Sequence, residues 1–109
     1  MRMVESGRPV DKEVLNRFGA NLLRVRQARR LSQESLAEQM GIHRTQISLF
    51  ETGQREPLLG TLLRLAATLE VSLATLVDGI AFQPGPGGGE FHASELAALP
   101  REDWGGRPL

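Results

Sequence analysis

The sequence of 109 residues contains no cysteine, which excludes a disulfide framework and thiolate chemistry. It also lacks any apolar run that approaches the length of about 18 residues from which a membrane-spanning helix is built. Its first residues, MRMVESGRPVDKE, lack the apolar segment of a secretory signal. These absences predict a soluble cytoplasmic protein without a membrane partner.

The sequence shows no arrangement of residues that is typical of a catalytic or metal site. Carboxylates are scattered along the chain, and no nucleophile has a candidate base nearby. His43 is typical of a hydrogen-bonded surface residue and His92 stands alone, which disfavours a metal site. A chain of this length forms one small domain, without room for a separate catalytic or ligand-sensing domain of ordinary size. We therefore predict that the protein is not an enzyme and carries no cofactor.

Net charge is also lacking, since 13 basic residues balance 13 acidic ones. The charges are nevertheless segregated: residues 1–58 carry +3 and residues 59–109 carry −3. Twelve of the thirteen bases are arginine, whose planar guanidinium matches phosphate and guanine edges better than an ammonium does. The basic half is therefore compatible with nucleic-acid binding, although genome composition explains the arginine excess equally well.

The most informative stretch is QESLAEQMGIHRTQISLFET, residues 33–52, which reads as two short helices joined at Gly41. Ser32 is a credible N-cap for the first helix because its hydroxyl can accept from a free backbone N–H. Gly41 can adopt the left-handed conformation that ends a helix. The apolar residues of the first helix share one face: Leu36, Ala37 and Met40.

The second helix begins near His43 and has two chemically different sides. Ile47 and Phe50 lie three residues apart on one face, which predicts that this face is buried. The opposite face remains free for contacts. It carries Arg44, Thr45, Ser48 and Leu49.

The segment SQESLAEQMGIHRTQISLFETG resembles the helix-turn-helix of the Cro and phage-repressor type, also called XRE-like. The resemblance extends to Arg26 before the segment and to TLLRLA and VSLATLV after it, about two thirds of the chain. It implies an all-α fold, a five-helix lambda-repressor-like DNA-binding domain with a short C-terminal extension. Five residues stand at the family spacing: Gln33, Gly41, Glu51, Gly53 and Pro57.

The resemblance also implies a set of site residues, with double-stranded DNA as the partner. Arg26 is expected to pair with Glu51, and Gly41 to form the turn. A merely solvated Arg44 and an incidental or partner-contacting Leu49 stay open as alternatives. Base contacts are implied at Arg44, Thr45, Ser48 and Leu49. Phosphate contacts are implied at Gln33, His43, Gln46 and Arg55.

The rest of the chain divides around this domain. We expect a flexible N-terminal arm over residues 1–10, the DNA-binding domain over residues 11–79, and a C-terminal tail over residues 80–109. Within the domain, further helices are predicted over residues 11–30, 59–69 and 73–77. In the tail, IAFQ and EFHA flank GPGGG, for which a β-hairpin and disorder are both compatible. A helical turn is predicted over residues 94–99.

Four departures from the family pattern concern helix ends. Ser35, three residues after the Ser32 cap, is not the Glu or Gln of a capping box. His43 stands where a serine or threonine cap is usual, which predicts a weaker cap or one supplied from elsewhere. Leu58 replaces the polar cap expected before the fourth helix, and Glu70 replaces a frequent glycine. These departures affect helix boundaries rather than the face that would read DNA.

The resemblance implies a transcriptional regulator, a repressor, that binds a near-palindromic operator as a homodimer. Two alternatives stay open. The first is an antitoxin whose tail covers a toxin, and the second is a helical adaptor that binds proteins only. The antitoxin would use Phe91, Leu96, Leu99 or Trp104 as anchors. The dimer would bury apolar residues around Leu73, Val77, Ile80 and Phe82.

Overall fold

The computed structural model describes residues 10–94, in which five helices precede a small β-hairpin. This confirms the predicted five-helix architecture with a C-terminal extension. The predicted helical turn at residues 94–99, the N-terminal arm before residue 10 and the three anchors Leu96, Leu99 and Trp104 lie outside the described residues. The helices are α1 (Lys12–Ala28), α2 (Gln33–Met40), α3 (Arg44–Glu51), α4 (Leu59–Leu69) and α5 (Leu73–Leu76). The strands are β1 (Ile80–Gln83) and β2 (Glu90–Ala93).

A single hydrophobic core joins the five helices. The helices α2, α3 and α5 have eight residues or fewer, too short to be stable alone in water, so packing of their apolar faces must stabilise them. Ile47 and Phe50 of α3 are buried in this core, as their spacing predicts. The other core side chains come from every helix and include Phe18, Leu22, Val25, Leu36, Met40, Leu65, Leu69, Val71 and Leu76.

The helix ends around the turn agree with those predicted from the sequence, except at His43. The Ser32 hydroxyl accepts from the Ser35 N–H at 2.9 Å, and Gly41 has a left-handed backbone with φ of 70°. His43, expected to leave the helix weakly capped, is itself the cap of α3, because its Nδ1 accepts from the Thr45 N–H at 3.1 Å. The imidazole nitrogen takes the place of a serine oxygen. Leu58 makes no side-chain cap, as predicted.

Two polar side chains of α1, Arg17 and Asn21, are buried where α1 meets the end of α5. Asn21 Nδ2 donates to the carbonyl oxygens of Leu76 and Asp78, both at 2.9 Å, and Arg17 Nε donates to the Asp78 carbonyl at 3.1 Å. Burial lowers the pKa of the Arg17 guanidinium, while the Asp78 carboxylate acts to raise it. The sequence analysis missed this anchor, which fixes the chain just before the hairpin.

The hairpin pairs β1 and β2 in antiparallel register, with Phe82 opposite Phe91 and Ile80 opposite Ala93. The two phenyl rings meet edge to face at a centroid distance of 5.0 Å. Of the two alternatives that the sequence left open for IAFQPGPGGGEFHA, the structure therefore contains the hairpin. Ser94 N–H donates to the Gly79 carbonyl at 2.7 Å and closes the open end of the hairpin.

Candidate nucleic-acid interface

The outer face of α3 is open to solvent over its first turn. Arg44 and Thr45 are exposed, while Ser48 and Leu49, one turn later, are partly buried. On the inner side, Ile47 is fully buried and Phe50 is 3 % exposed. The structure therefore places the four predicted base-contact residues on the side of α3 away from the core, with the N-terminal half the more accessible.

Glu51, the last residue of α3, is held by a buried network. Arg26 binds the carboxylate in two places, Nε to Oε2 at 2.5 Å and Nη2 to Oε1 at 3.0 Å. A third Arg26 donor, Nη1, reaches the Leu31 carbonyl at 2.7 Å. The Arg26 and Glu51 side chains retain only 11 % and 4 % of their exposure. The structure thus brings together the two residues of the predicted ion pair, which connects α1 to α3.

Gln33 joins this network to Arg44 on the outer face of α3. Its Nε2 donates to Glu51 Oε1 at 2.9 Å, and its Oε1 accepts a long bond of 3.4 Å from Arg44 Nη1. The predicted phosphate contact therefore lies between the buried carboxylate and the arginine predicted to read a base. One edge of the Arg44 guanidinium is thus directed towards α2, through a contact longer than a typical hydrogen bond.

At the other end of the predicted interface, Gln46 and Arg55 lie together. Arg55, in the turn after α3, donates from Nη1 to Gln46 Oε1 at 3.0 Å. Both residues are predicted phosphate contacts. The pairing uses one of the five guanidinium N–H donors, so the others remain available for a phosphate.

His43 is exposed at the start of α3, and its role as a cap fixes which nitrogen can donate. Because Nδ1 accepts from the Thr45 N–H, the proton of the neutral ring resides on Nε2. Nε2 is then the donor available to a phosphate oxygen. His43 can therefore cap α3 through Nδ1 and make the predicted phosphate contact through Nε2.

The sequence analysis did not identify Gly19 as a contact with α3, although a glycine inside a helical pattern is unusual and calls for a structural reason. A Cβ at Gly19 would lie 2.6 Å from the Phe50 carbonyl oxygen and 2.8 Å from the Glu51 carbonyl carbon. The missing side chain therefore allows α1 to approach the backbone of α3. This close approach fixes the distance between the two helices.

Several large apolar side chains remain on the surface outside α3. Leu58 is 78 % exposed, Leu59 66 %, Leu63 51 % and Phe82 47 %. By contrast, Leu73, Val77 and Ile80, also expected at a dimer interface, are each partly buried within the monomer. Phe82 is therefore the most accessible of the predicted interface residues. Among residues 10–94, no helix is long and apolar enough to cross a bilayer.

Comparison with known proteins places this geometry in context. The family model described as helix-turn-helix matches residues 22–76. The uncharacterized HTH-type transcriptional regulator YqaE of Bacillus subtilis is 37 % identical over 62 residues, which cover 57 % of this chain and 53 % of that protein. The chain thus spans about half the length of that relative.

Two solved structures are similar in fold and in sequence. The restriction-modification controller protein C.AhdI of Aeromonas hydrophila has a TM-score of 0.55 and 39 % identity, covering 57 % of this chain and 94 % of that one. The restriction-modification controller protein C.Esp1396I, solved as a tetramer in complex with its natural 35 base-pair operator, has a TM-score of 0.53 and 27 % identity, covering 58 % and 83 %.

Proposed function

The chain belongs to the helix-turn-helix family of Cro-like and XRE-like transcription regulators, and on this premise we propose that it binds DNA sequence-specifically. It binds a near-palindromic operator as a homodimer and represses transcription in the cytoplasm. Family members and structural neighbours are regulators rather than enzymes.

The observation that supports this function most directly is the open outer face of α3. An α-helix with its side chains is about 10–12 Å across, which matches a major groove about 12 Å wide. The inner side of α3 is fully occupied by the core, so only the outer side can meet a ligand. Arg44 and Thr45 are exposed at the N-terminal end, the part of a recognition helix that approaches base edges.

Base discrimination falls mainly to Arg44. Its guanidinium can donate two parallel bonds to O6 and N7 of guanine, worth about 1–3 kcal/mol of discrimination. Thr45 and Ser48 can each donate or accept one hydrogen bond at a base edge. Thr45 can also contact a thymine methyl. Leu49 presses on a thymine methyl. Gln33 contributes by restraining Arg44 through the 3.4 Å contact.

Phosphate contacts flank the reading face and fix its register. Gln33 and His43 lie at the starts of α2 and α3, where free backbone N–H groups favour an anion. Gln46 and Arg55 bind a second phosphate as a pair, with Gln46 holding the guanidinium. Each neutralised phosphate contributes a slope of about −0.9 to the dependence of log affinity on log salt.

A dimer follows from the size of the module and the symmetry of the operator. One helix-turn-helix buries limited surface on DNA, and two copies across a two-fold axis present their recognition helices about 34 Å apart, one turn of duplex. The C.Esp1396I controller is a tetramer on its operator. In this chain the surface around α5 and the hairpin, including Phe82, is the proposed contact between copies.

Selection of bound sites from random duplexes tests the proposal. Enrichment of a two-fold symmetric sequence with half-sites one helical turn apart is expected, and no enrichment in low salt would contradict the function. Arg44→Ala should relax the preference at one base pair of each half-site. Arg55→Ala, the matched control, should weaken all sites alike and reduce the salt slope.

A further inference from the structure

The only lysine in the sequence, Lys12, lies at the start of α1. It contacts the two residues that follow α3, the helix proposed to read DNA. Its ammonium donates to the Gly53 carbonyl oxygen at 2.7 Å and lies 3.4 Å from that of Thr52. Thr52 is the C-cap residue of α3 and Gly53 follows it, so both carbonyls lie at the end of the helix that carries partial negative charge. A cation at this position interacts favourably with the helix dipole and connects the turn after α3 to α1.

Lys12 is one of four residues of α1 that form a stripe facing the last turn of α3. The others are Asn16, Gly19 and Arg26, which share this face because they lie four, seven and fourteen residues further along the helix. Asn16 packs on Gly53, where an added Cβ would lie 3.1 Å from the backbone nitrogen of Asn16. Gly19 admits the α3 backbone, and Arg26 binds the Glu51 carboxylate. The stripe therefore holds α3 at its C-terminal end.

Arg44 and Thr45, two of the four residues proposed to read bases, lie at the opposite end of α3. A helix of eight residues is about 12 Å long, so a tilt of about 5° at the held end displaces the other end by about 1 Å. Hydrogen bonds to base edges weaken steeply with a misalignment of this size. The orientation of the held end thus contributes to the contacts made at the N-terminal end.

We propose that Lys12 is a positioning residue for DNA recognition, which acts by fixing the C-terminal end of α3 and touches no DNA itself. The role rests on the function proposed above. A competing role is a direct salt contact between the Lys12 ammonium and a phosphate. The two roles differ in their salt dependence, since only the contact releases a counterion.

Affinity measured across a salt series separates these roles. With the duplex recovered by selection, Lys12→Met should bind about five- to tenfold more weakly, because the bond from Lys12 to Gly53 no longer holds α3 in the orientation that binds. The salt slope and the affinity for an unrelated duplex should be unchanged. Lys12→Arg, which keeps the charge and donors, should restore most of the affinity. Arg30→Met removes one charge at the opposite end of α1 and should stay within about twofold of wild type.

Direct contact would give a different result and overturn the proposal. The Lys12→Met slope would then be about 0.9 shallower, and specific and unrelated duplexes would lose affinity equally. Wild-type affinity in Lys12→Met would also overturn it.

Amide hydrogen exchange provides a readout that requires no DNA. The N–H groups of Thr52, Gly53 and Gln54 bond to the carbonyls of Ser48, Phe50 and Leu49 at the end of α3. These amides should exchange several-fold faster in Lys12→Met, while amides within α4 keep their rates. Unchanged exchange at all three sites would refute the positioning role even if duplex binding fell. Wild-type protein that prefers no duplex would instead refute the proposed function, and with it the role in recognition.

Discussion

Replacing Arg26 with alanine should destabilise the fold strongly, because it leaves the Glu51 carboxylate buried with one remaining side-chain donor, Gln33. The Glu51 side chain is only 4 % exposed, so water can replace little of the lost bonding. Removing one partner of a buried pair costs about 3–5 kcal/mol. For a domain of this size each kcal/mol lowers the melting midpoint by about 4–8 °C, so a drop of about 12 °C or more is expected.

A double-mutant cycle distinguishes a stranded charge from a simple loss of contacts. Arg26→Met, Glu51→Met and the double variant would be compared by urea denaturation followed by circular dichroism. If a buried unpaired charge causes the loss, the double variant should be more stable than Arg26→Met alone, since it removes the carboxylate as well. Single-variant losses below about 1 kcal/mol, the range of an exposed pair, would refute the reasoning.

Five further substitutions at four positions test helix contacts and helix ends by the same denaturation assay. Gly19→Ala should lower the free energy of unfolding by about 1–2 kcal/mol, because its Cβ would meet the Phe50 carbonyl at 2.6 Å. The control Gly60→Ala, whose Cβ faces open space in α4, should raise it by up to about 1 kcal/mol. A stabilised Gly19→Ala would contradict the close approach of α1 and α3. Glu70→Gly should gain about 0.5–1 kcal/mol because Glu70 ends α4 with φ of 60°, and an unchanged midpoint would count against strain there. His43→Ala should lose about 1 kcal/mol with its cap and His43→Asn much less; equal losses would exclude the imidazole as the cap.

The fold could be predicted because its signals are local and repeated. Ser32 and Gly41 mark the ends of α2 by their own chemistry, and the spacing of Ile47 and Phe50 identifies the buried face of α3. The hairpin was less certain, since a two-stranded sheet has little stability without packing. The hairpin packs against α1, and no short stretch of sequence reveals this packing.

The contacts between distant residues could be predicted only where the family resemblance supplied them. Arg26 and Glu51 lie 25 positions apart, and their pairing follows from the resemblance rather than from spacing. The contacts of Lys12 with Gly53 and of Gln33 with Glu51 also join distant residues, but the resemblance did not imply these pairings. An exposed lysine near a helix start has the same local signature whether or not it meets a carbonyl of another helix.

Two of the residues proposed to confer specificity, Arg44 and Thr45, are not needed to fill the core. Ile47 and Phe50 must be apolar because they fill the core, whereas Arg44 and Thr45 are exposed and could be exchanged without loss of packing. Specificity can therefore change while the scaffold persists. The network around Glu51 connects these two regions, because Gln33 touches both the buried carboxylate and Arg44. A substitution at residue 44 that no longer meets Gln33 should thus alter base preference through lost orientation as well as through lost hydrogen bonds.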